Sequence, residues 1–370
     1  MPPKIPNESR PQLLKEWFNE PRYRRLAAQL GALEATFDRE RFLSLTLDGL
    51  SERSLMDRLR QAALAVDAAL PGSYRAKLSV LHRLAPQIGH DFVAMFACEF
   101  VVRFGLADFD HSMEALRQLT CFGSAEFAVR PFLVQDLERG LAILNRWTHD
   151  QDEKVRRLAS EGSRPRLPWG VRLQELTRDP APLAPILEAL KGDESLYVRR
   201  SVANSLNDVA KDHPDWVLAR LHAWDLTAAG TAWVARHASR TLIKQGHPDA
   251  LRLFGFRRAA VEASLTVRPE ALILGGTLVL SATLQSTAAR TQKLAVDYAV
   301  HYVRPGGAIF RKVFKWREVE LPAGGALSLT KQQVFRDMSA RRHHDGRHLV
   351  ELQINGQPLA QHSFILRTGG

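Results

Sequence analysis

The chain has 370 residues, 45% of them hydrophobic and 25% charged, with a net charge of +11 and a sequence pI near 10.0. That composition suits a globular protein of two or three domains with real cores and excludes a fibrous or low-complexity chain. The surplus of cations points to a polyanionic partner, nucleic acid first and an anionic membrane surface second.

Met1 to Arg10 is polar and holds no apolar stretch of the kind a secretory signal needs, and the first nine residues read as disordered. The longest apolar run, Phe92 to Val102, is interrupted by Glu99 and is too short to span a bilayer. It reads as a buried helix, and no membrane association is expected. Cys98 and Cys121 lie in apolar segments without metal-ligand spacing, so reduced thiols and a cytoplasmic location are expected.

From Gln12 to about Leu253 the apolar residues recur at helical spacing, as in Leu55, Leu59, Ala62, Ala63 and Val66, with breaks at Pro71-Gly72, Gly89-His90, Phe122-Gly123 and Gly246-His247-Pro248. In Ser124 to Phe132, Ser124 can cap a helix and Glu126 falls in its first turn, where dipole stabilisation and a functional role weigh about equally. The segment Val155 to Trp169 begins as a helix and stops at Gly162. Pro165 and Pro168 then stiffen a loop carrying Arg164, Arg166 and Trp169. With Glu161 at its lip, this segment makes a candidate site for a cationic or phosphate-bearing ligand.

An internal repeat surrounds it. Asp152 to Arg157 recurs as Glu194 to Arg200 and again as Trp233 to Ala238, with Val155, Val198 and Val234 in register. Acidic residues followed by Val-Arg-Arg, at a period of roughly 40, mark the second helix of a HEAT-type unit. Such helical pairs bury their apolar faces by stacking into a solenoid. Aligned, the copies place Arg157, Glu161, Arg200, Asn204, Asp208, Arg236, Arg240 and Lys244 on one polar stripe opposite Val198, Val202, Leu206 and Val209.

After Phe256 the period becomes two. Leu278, Leu280, Ala282 and Leu284 alternate with polar or small residues, as do Leu294, Val296, Tyr298, Val300 and Tyr302. Asn355-Gly356 signals a two-residue hairpin. Six or seven strands in about 110 residues predict an immunoglobulin-like sandwich. The expected architecture is therefore multidomain, α then β: a HEAT-like helical-repeat solenoid over residues 10–256, then an immunoglobulin-like β-sandwich over 257–370. Residues 258–370 hold 15 Lys and Arg against 8 Asp and Glu. Arg341, Arg342 and Arg347 crowd one loop there, a candidate phosphate-binding tip.

Three stretches carry a specific resemblance: Ala159 to Trp169, Glu126 to Phe132, and Val198 to Pro214. They resemble the AlkC branch of the DNA alkylation repair glycosylases, bacterial HEAT-like-repeat enzymes related to AlkD. The similarity spans residues 10–255, and a C-terminal immunoglobulin-like domain occurs in one AlkC subgroup. The resemblance implies excision of cationic N-alkylated bases, such as 3-methyladenine and 3-methylcytosine, from duplex DNA held bent against a concave face. By motif position it implies an active-site group of Glu126, Glu161, Trp169 and Asp208.

Those residue types suit that chemistry. A base alkylated at a ring nitrogen is already cationic and leaves without a general acid. The enzyme has only to stabilise an oxocarbenium-like sugar and supply water. Glu161 and Asp208 are assigned to those tasks, Glu126 to their support and Trp169 to the face of the cation. Arg157, Arg164, Arg166 and Arg200 would grip flanking phosphates, with Asn204, Arg236, Arg240 and Lys244 along the stripe. No cofactor or metal motif is present, and a monomer is expected. A non-catalytic HEAT scaffold for nucleic acid or protein is the alternative. A carbohydrate hydrolase fits badly with a pI near 10.0.

Overall fold

The computed structural model describes residues 13–337 and 342–369. The first nine residues, expected to be disordered, and Arg341 lie outside the described residues. Sixteen α-helices precede eight strands among the described residues, and no helix there is long and apolar enough to cross a membrane. The chain divides into two compact units. One contains the residues through Asp212 together with Leu226–Val234; the other contains His213–Asp225 and everything from Ala235 onward. The last helices thus group with the strands, and the division does not fall at 256.

Seven helices of the first unit begin where a short polar side chain accepts a backbone N–H. Asn19, Asp38, Ser54, Ser73, Asp136, Asp152 and Ser195 all do so. Asp152 and Ser195 occupy matching places in the repeat, so the second copy starts its helix by the same device. Helix Leu137–Trp147 packs on Glu153–Gly162, and Ala184–Leu190 on Leu196–Val209. The two second helices then lie against each other. Small residues allow that approach: Ser160 donates to Ser201 Oγ at 2.7 Å inside the contact, flanked by the buried Ala159 and Ala203.

The third copy departs from the first two. Its helix, Ala229–Ala238, stops before Ser239, and a separate short helix runs Arg240–Lys244. Arg236, Arg240 and Lys244 therefore do not share one helical face, which corrects the expected stripe at its far end. The i, i+4, i+8 rule holds only within an unbroken helix.

In the second unit, β1 (Val261–Arg268), β3 (Thr277–Ser286) and β6 (Ala326–Val334) form one antiparallel sheet in the order β1-β3-β6. The other sheet runs β2-β8-β7-β4-β5. Its strands are β2 (Ala271–Ile273), β4 (Gln292–Val303), β5 (Ile309–Leu321), β7 (Gly346–Ile354) and β8 (Gln357–Arg367). The alternating Leu278, Leu280, Ala282 and Leu284 meet Leu294, Val296, Tyr298, Val300 and Tyr302 in the core. Asn355 and Gly356 both take positive φ, 47° and 78°, as the β7–β8 hairpin requires. The Asn355 amide also donates to the carbonyls of Arg257 and Lys293.

One strand is buried on both faces. Ala295, Asp297 and Ala299 of β4 stand on the face opposite that core and are enclosed as well. Helix Arg240–Lys244 packs beside β5, and Gln353 donates to the Lys244 carbonyl at 2.7 Å. Burial pushes the Asp297 carboxyl up to about 6, against the opposing pull of Lys244, Lys315 and Arg236 and with Glu318 adding to the rise.

A carboxyl whose folded pKa lies above its unfolded value near 3.9 favours the fold while it keeps its proton. That contribution is present at low pH and is lost as pH rises through about 6. Asp297→Asn should therefore match wild type in unfolding free energy near pH 4 and exceed it at pH 8 by at most about 3 kcal/mol, as read by urea denaturation. An offset that is the same at both pH values would refute this.

Candidate active site

Helix Glu153–Gly162 brings Glu161 to its last turn, where the residue is 5% exposed. The helix ends tightly, because a Cβ on Gly162 would come within 2.5 Å of Val129 Cγ2. The chain then turns into the Ser163–Val171 loop, and Arg164 swings inward. Its Nη1 donates to Glu161 Oε1 at 2.5 Å, and its Nε and Nη2 donate to Asp208 Oδ2 at 2.9 and 2.8 Å. Asp208 comes from the last turn of Leu196–Val209 and is likewise buried; its Oδ1 accepts from Lys211 Nζ at 2.9 Å. One guanidinium thus holds two buried carboxylates on neighbouring repeat helices.

A second pair adjoins the first. Arg157 forms an ion pair with Glu126, lies 3.6 Å from Glu161 through Nη2, and donates to Ser124 Oγ at 3.0 Å. Ser124 in turn donates to Glu126. Glu126 sits in a turn ahead of helix Val129–Gln135, not within its first helical turn, so it faces Arg157 instead of serving as a cap. The Arg157 guanidinium also lies 5.0 Å from the centre of the Tyr197 ring.

Beneath the loop, Arg130 is fully buried. It donates to the carbonyls of Gly162, Arg164 and Val171 at 2.7, 2.8 and 2.5 Å. Burial and the nearby Arg164 charge push its pKa down to about 10, opposed by Glu161, Asp208 and Glu126. For Arg164 burial also works against the charge, but the Glu161 and Asp208 carboxylates more than offset it and hold the guanidinium above its usual range.

The four residues of the expected active-site group are thus not placed alike. Glu126, Glu161 and Asp208 join one network through Arg157 and Arg164. Trp169 stands farther along the loop, 76% exposed, with a φ of 65°. Among the described residues the hydrogen bond and ion pairs of the Glu161 carboxylate all run through Oε1, and its Oε2 accepts no hydrogen bond. An anionic oxygen set in a fixed, partly dry frame and left open can orient a water or oppose a positive charge. Among the described residues no group of three His, Cys, Asp or Glu is placed to hold a metal.

The expected phosphate contacts sort less evenly. Arg200 is exposed, Asn204 is half-buried on the same helix face, and Arg342 and Arg347 are exposed on the sandwich. Arg347 belongs to β7, not to a loop, and donates to Ser363. Arg166 makes an exposed bidentate pair with Asp212, 2.8 to 3.0 Å.

Two expectations are corrected. Arg164, 8% exposed, turns its guanidinium onto two buried carboxylates instead of outward toward a phosphate. Arg236 is paired with Glu318 and lies over the rings of Phe254 and Phe256, so its charge is spent within its own unit. Arg240 donates to the His237 carbonyl, and Lys244 lies near Asp297. Sequence reasoning missed Arg130 and Lys211. The first stands in the Val-Arg-Pro-Phe motif but carries no signal of burial, while the second is legible only as i+3 from Asp208.

Residues 110–242 fit the family described as DNA alkylation repair enzyme, and residues 261–368 fit the C-terminal Ig-like domain of YhaZ. The chain is 39% identical over 347 residues to the Bacillus subtilis protein YhaZ, covering 93% of this chain and 96% of that one. It is 46% identical to the Pseudomonas fluorescens alkylpurine DNA glycosylase AlkC, solved bound to DNA containing an abasic site analog. That structure superposes with a TM-score of 0.93, over 96% of this chain and all of the other. The chain therefore belongs to the DNA alkylation repair enzymes, in the group of AlkC and YhaZ that joins a helical repeat region to a C-terminal Ig-like domain.

Proposed function

We propose that the chain is a DNA glycosylase that hydrolyses the N-glycosidic bond of cationic N-alkylated bases, 3-methyladenine and 3-methylcytosine, in duplex DNA. It would act as a cytoplasmic monomer in base excision repair. The observation that carries this reading is the buried Glu161–Arg164–Asp208 bridge with Glu161 Oε2 left open. Family membership supports it, since an abasic site is what base release leaves behind.

The departing base already bears the positive charge, so the site needs no proton donor. As the glycosidic bond lengthens, charge moves onto the sugar. Glu161 and Asp208, fixed by Arg164 and Lys211, oppose that charge without reorganising at the moment of reaction. The open Glu161 oxygen orients the attacking water, and Glu126 keeps Arg157 from competing for it. The exposed Trp169 indole offers a face to the cationic base, worth roughly 0.5–2 kcal/mol. Arg200 and Asn204 are the residues of the stripe that we assign to backbone phosphates. Arg166, Arg240, Lys244, Arg342 and Arg347 contribute further positive potential.

The test is single-turnover release of free base from methylated duplex at saturating enzyme. Release of 3-methyladenine and 3-methylcytosine is expected, together with duplex affinity that falls on the order of 10³-fold between 50 and 200 mM salt. Tight, salt-sensitive binding without release would favour a non-catalytic scaffold.

A further inference from the structure

We propose that Arg130 is the positioning residue of this site. Its guanidinium clamps the Gly162–Val171 loop by three backbone carbonyls and so sets where Glu161 and Trp169 stand. The inference rests on the glycosylase reading for its effect on rate, but not for the clamp itself.

Arg130 is a large cation with none of its surface exposed, and it forms no ion pair among the described residues. Buried arginines ordinarily face a carboxylate, which offsets part of the desolvation penalty. Here three carboxylates lie near enough to influence its charge, yet its donors go to main-chain oxygens. One Nη remains buried with no acceptor. Such a residue is expensive for the fold and is placed for what it holds.

It holds both ends of one loop. The Gly162 carbonyl belongs to the last residue of helix Glu153–Gly162, where acceptors lack intrahelical partners and a cation is favoured. The Arg164 carbonyl belongs to the residue whose side chain joins Glu161 to Asp208. The Val171 carbonyl closes the loop on the far side of Trp169. The contact leaves no slack: a Cβ on Gly170 would sit 3.1 Å from Arg130 Cδ and Nε.

Between those fixed points Trp169 adopts a φ of 65°, which is strained for a residue with a bulky side chain, and exposes its indole. A strained backbone presenting an apolar ring to solvent persists only where its surroundings over-determine it. Arg130 supplies that restraint. It also belongs to the helix that follows Glu126 directly, so one residue ties the Glu126 segment to the loop.

Arg130→Lys keeps the charge on a slightly shorter stem but cannot span three carbonyls, and Arg130→Met removes the charge as well. Both should lower single-turnover base release about ten- to thirtyfold while duplex affinity stays within about threefold, a loss of transition-state alignment and not of binding. Independently of activity, trypsin should nick the loop after Arg166 faster in both variants. The fluorescence difference between each protein and its Trp169→Phe derivative should become more sensitive to acrylamide.

Should Arg130→Met fail to fold, Arg130→Lys carries the comparison. Unchanged nicking and quenching in the folded Lys variant would overturn the clamp, even if base release fell. A loosened loop in a chain whose wild type releases no methylated base would sustain the clamp and remove the glycosylase reading.

Discussion

Glu161→Gln should slow single-turnover base release by a factor on the order of 10²–10³, the range for losing one preorganised electrostatic group. The substitution keeps the Oε1 acceptor for Arg164 and replaces the open anionic oxygen by an amide that cannot oppose a growing positive charge. Duplex affinity should hold or rise slightly, because a negative charge has left a surface that meets phosphates. Asp208→Asn should behave alike. Combining the two should cost little beyond either alone, since both carboxylates serve one transition state through one arginine. Release rates equal to wild type in Glu161→Gln would remove the catalytic assignment. Fully multiplicative losses in the double variant would show that the two act separately.

Arg164→Met should be the most destabilising single substitution at the site, by about 3–5 kcal/mol, the range for leaving a buried charge without its partner. Both Glu161 and Asp208 are buried, and among the described residues Lys211, the more distant Arg157 and Arg130, whose donors go to backbone carbonyls, would remain near them. Base release should fall at least as far as in Glu161→Gln, because the open oxygen would lose its orientation. The origin of the penalty can be separated from lost packing. Adding Glu161→Gln to Arg164→Met removes one orphaned charge and should return part of the lost melting temperature. If the double variant melts no higher than Arg164→Met alone, the bridge is a packing element and its charges are incidental.

The period change after Phe256 and the hairpin at Asn355-Gly356 were legible because they depend on neighbours in the chain. A two-residue turn with both φ positive admits few residues. A half-buried strand must alternate. The caps at Asp152 and Ser195 and the repeat between them were legible for the same reason: an oxygen one or two residues ahead of a helix satisfies its free N–H groups wherever the helix sits. Gathering Glu161 and Asp208 in one place was within reach of the repeat alignment, since both occupy late turns of equivalent helices.

What the chain could not disclose was the direction in which its cations point. Arg164 and Arg166 share one loop and one residue type, yet the first is buried between two carboxylates and the second lies on the surface with Asp212. Asp208 and Asp212 lie 44 and 46 residues from their arginines, and local spacing is silent over such distances. Arg236 matched Arg157 in the repeat but faces Glu318 and two rings, because the helix stops at Ser239 and the following residues pack on the sandwich. The alternation in β4 marks only one of its faces as buried, yet the other is enclosed too, beside a helix drawn from another part of the sequence. Sequence alone therefore determined the helical and strand regions, the starts of the first two repeat helices and the family motif, all governed by short-range sterics and hydrogen-bond supply. The tertiary structure alone decided which charges are buried and which are free: desolvation and Coulomb terms are large and opposed, and the balance for each arginine rests on whatever the fold brings within a few ångströms of it.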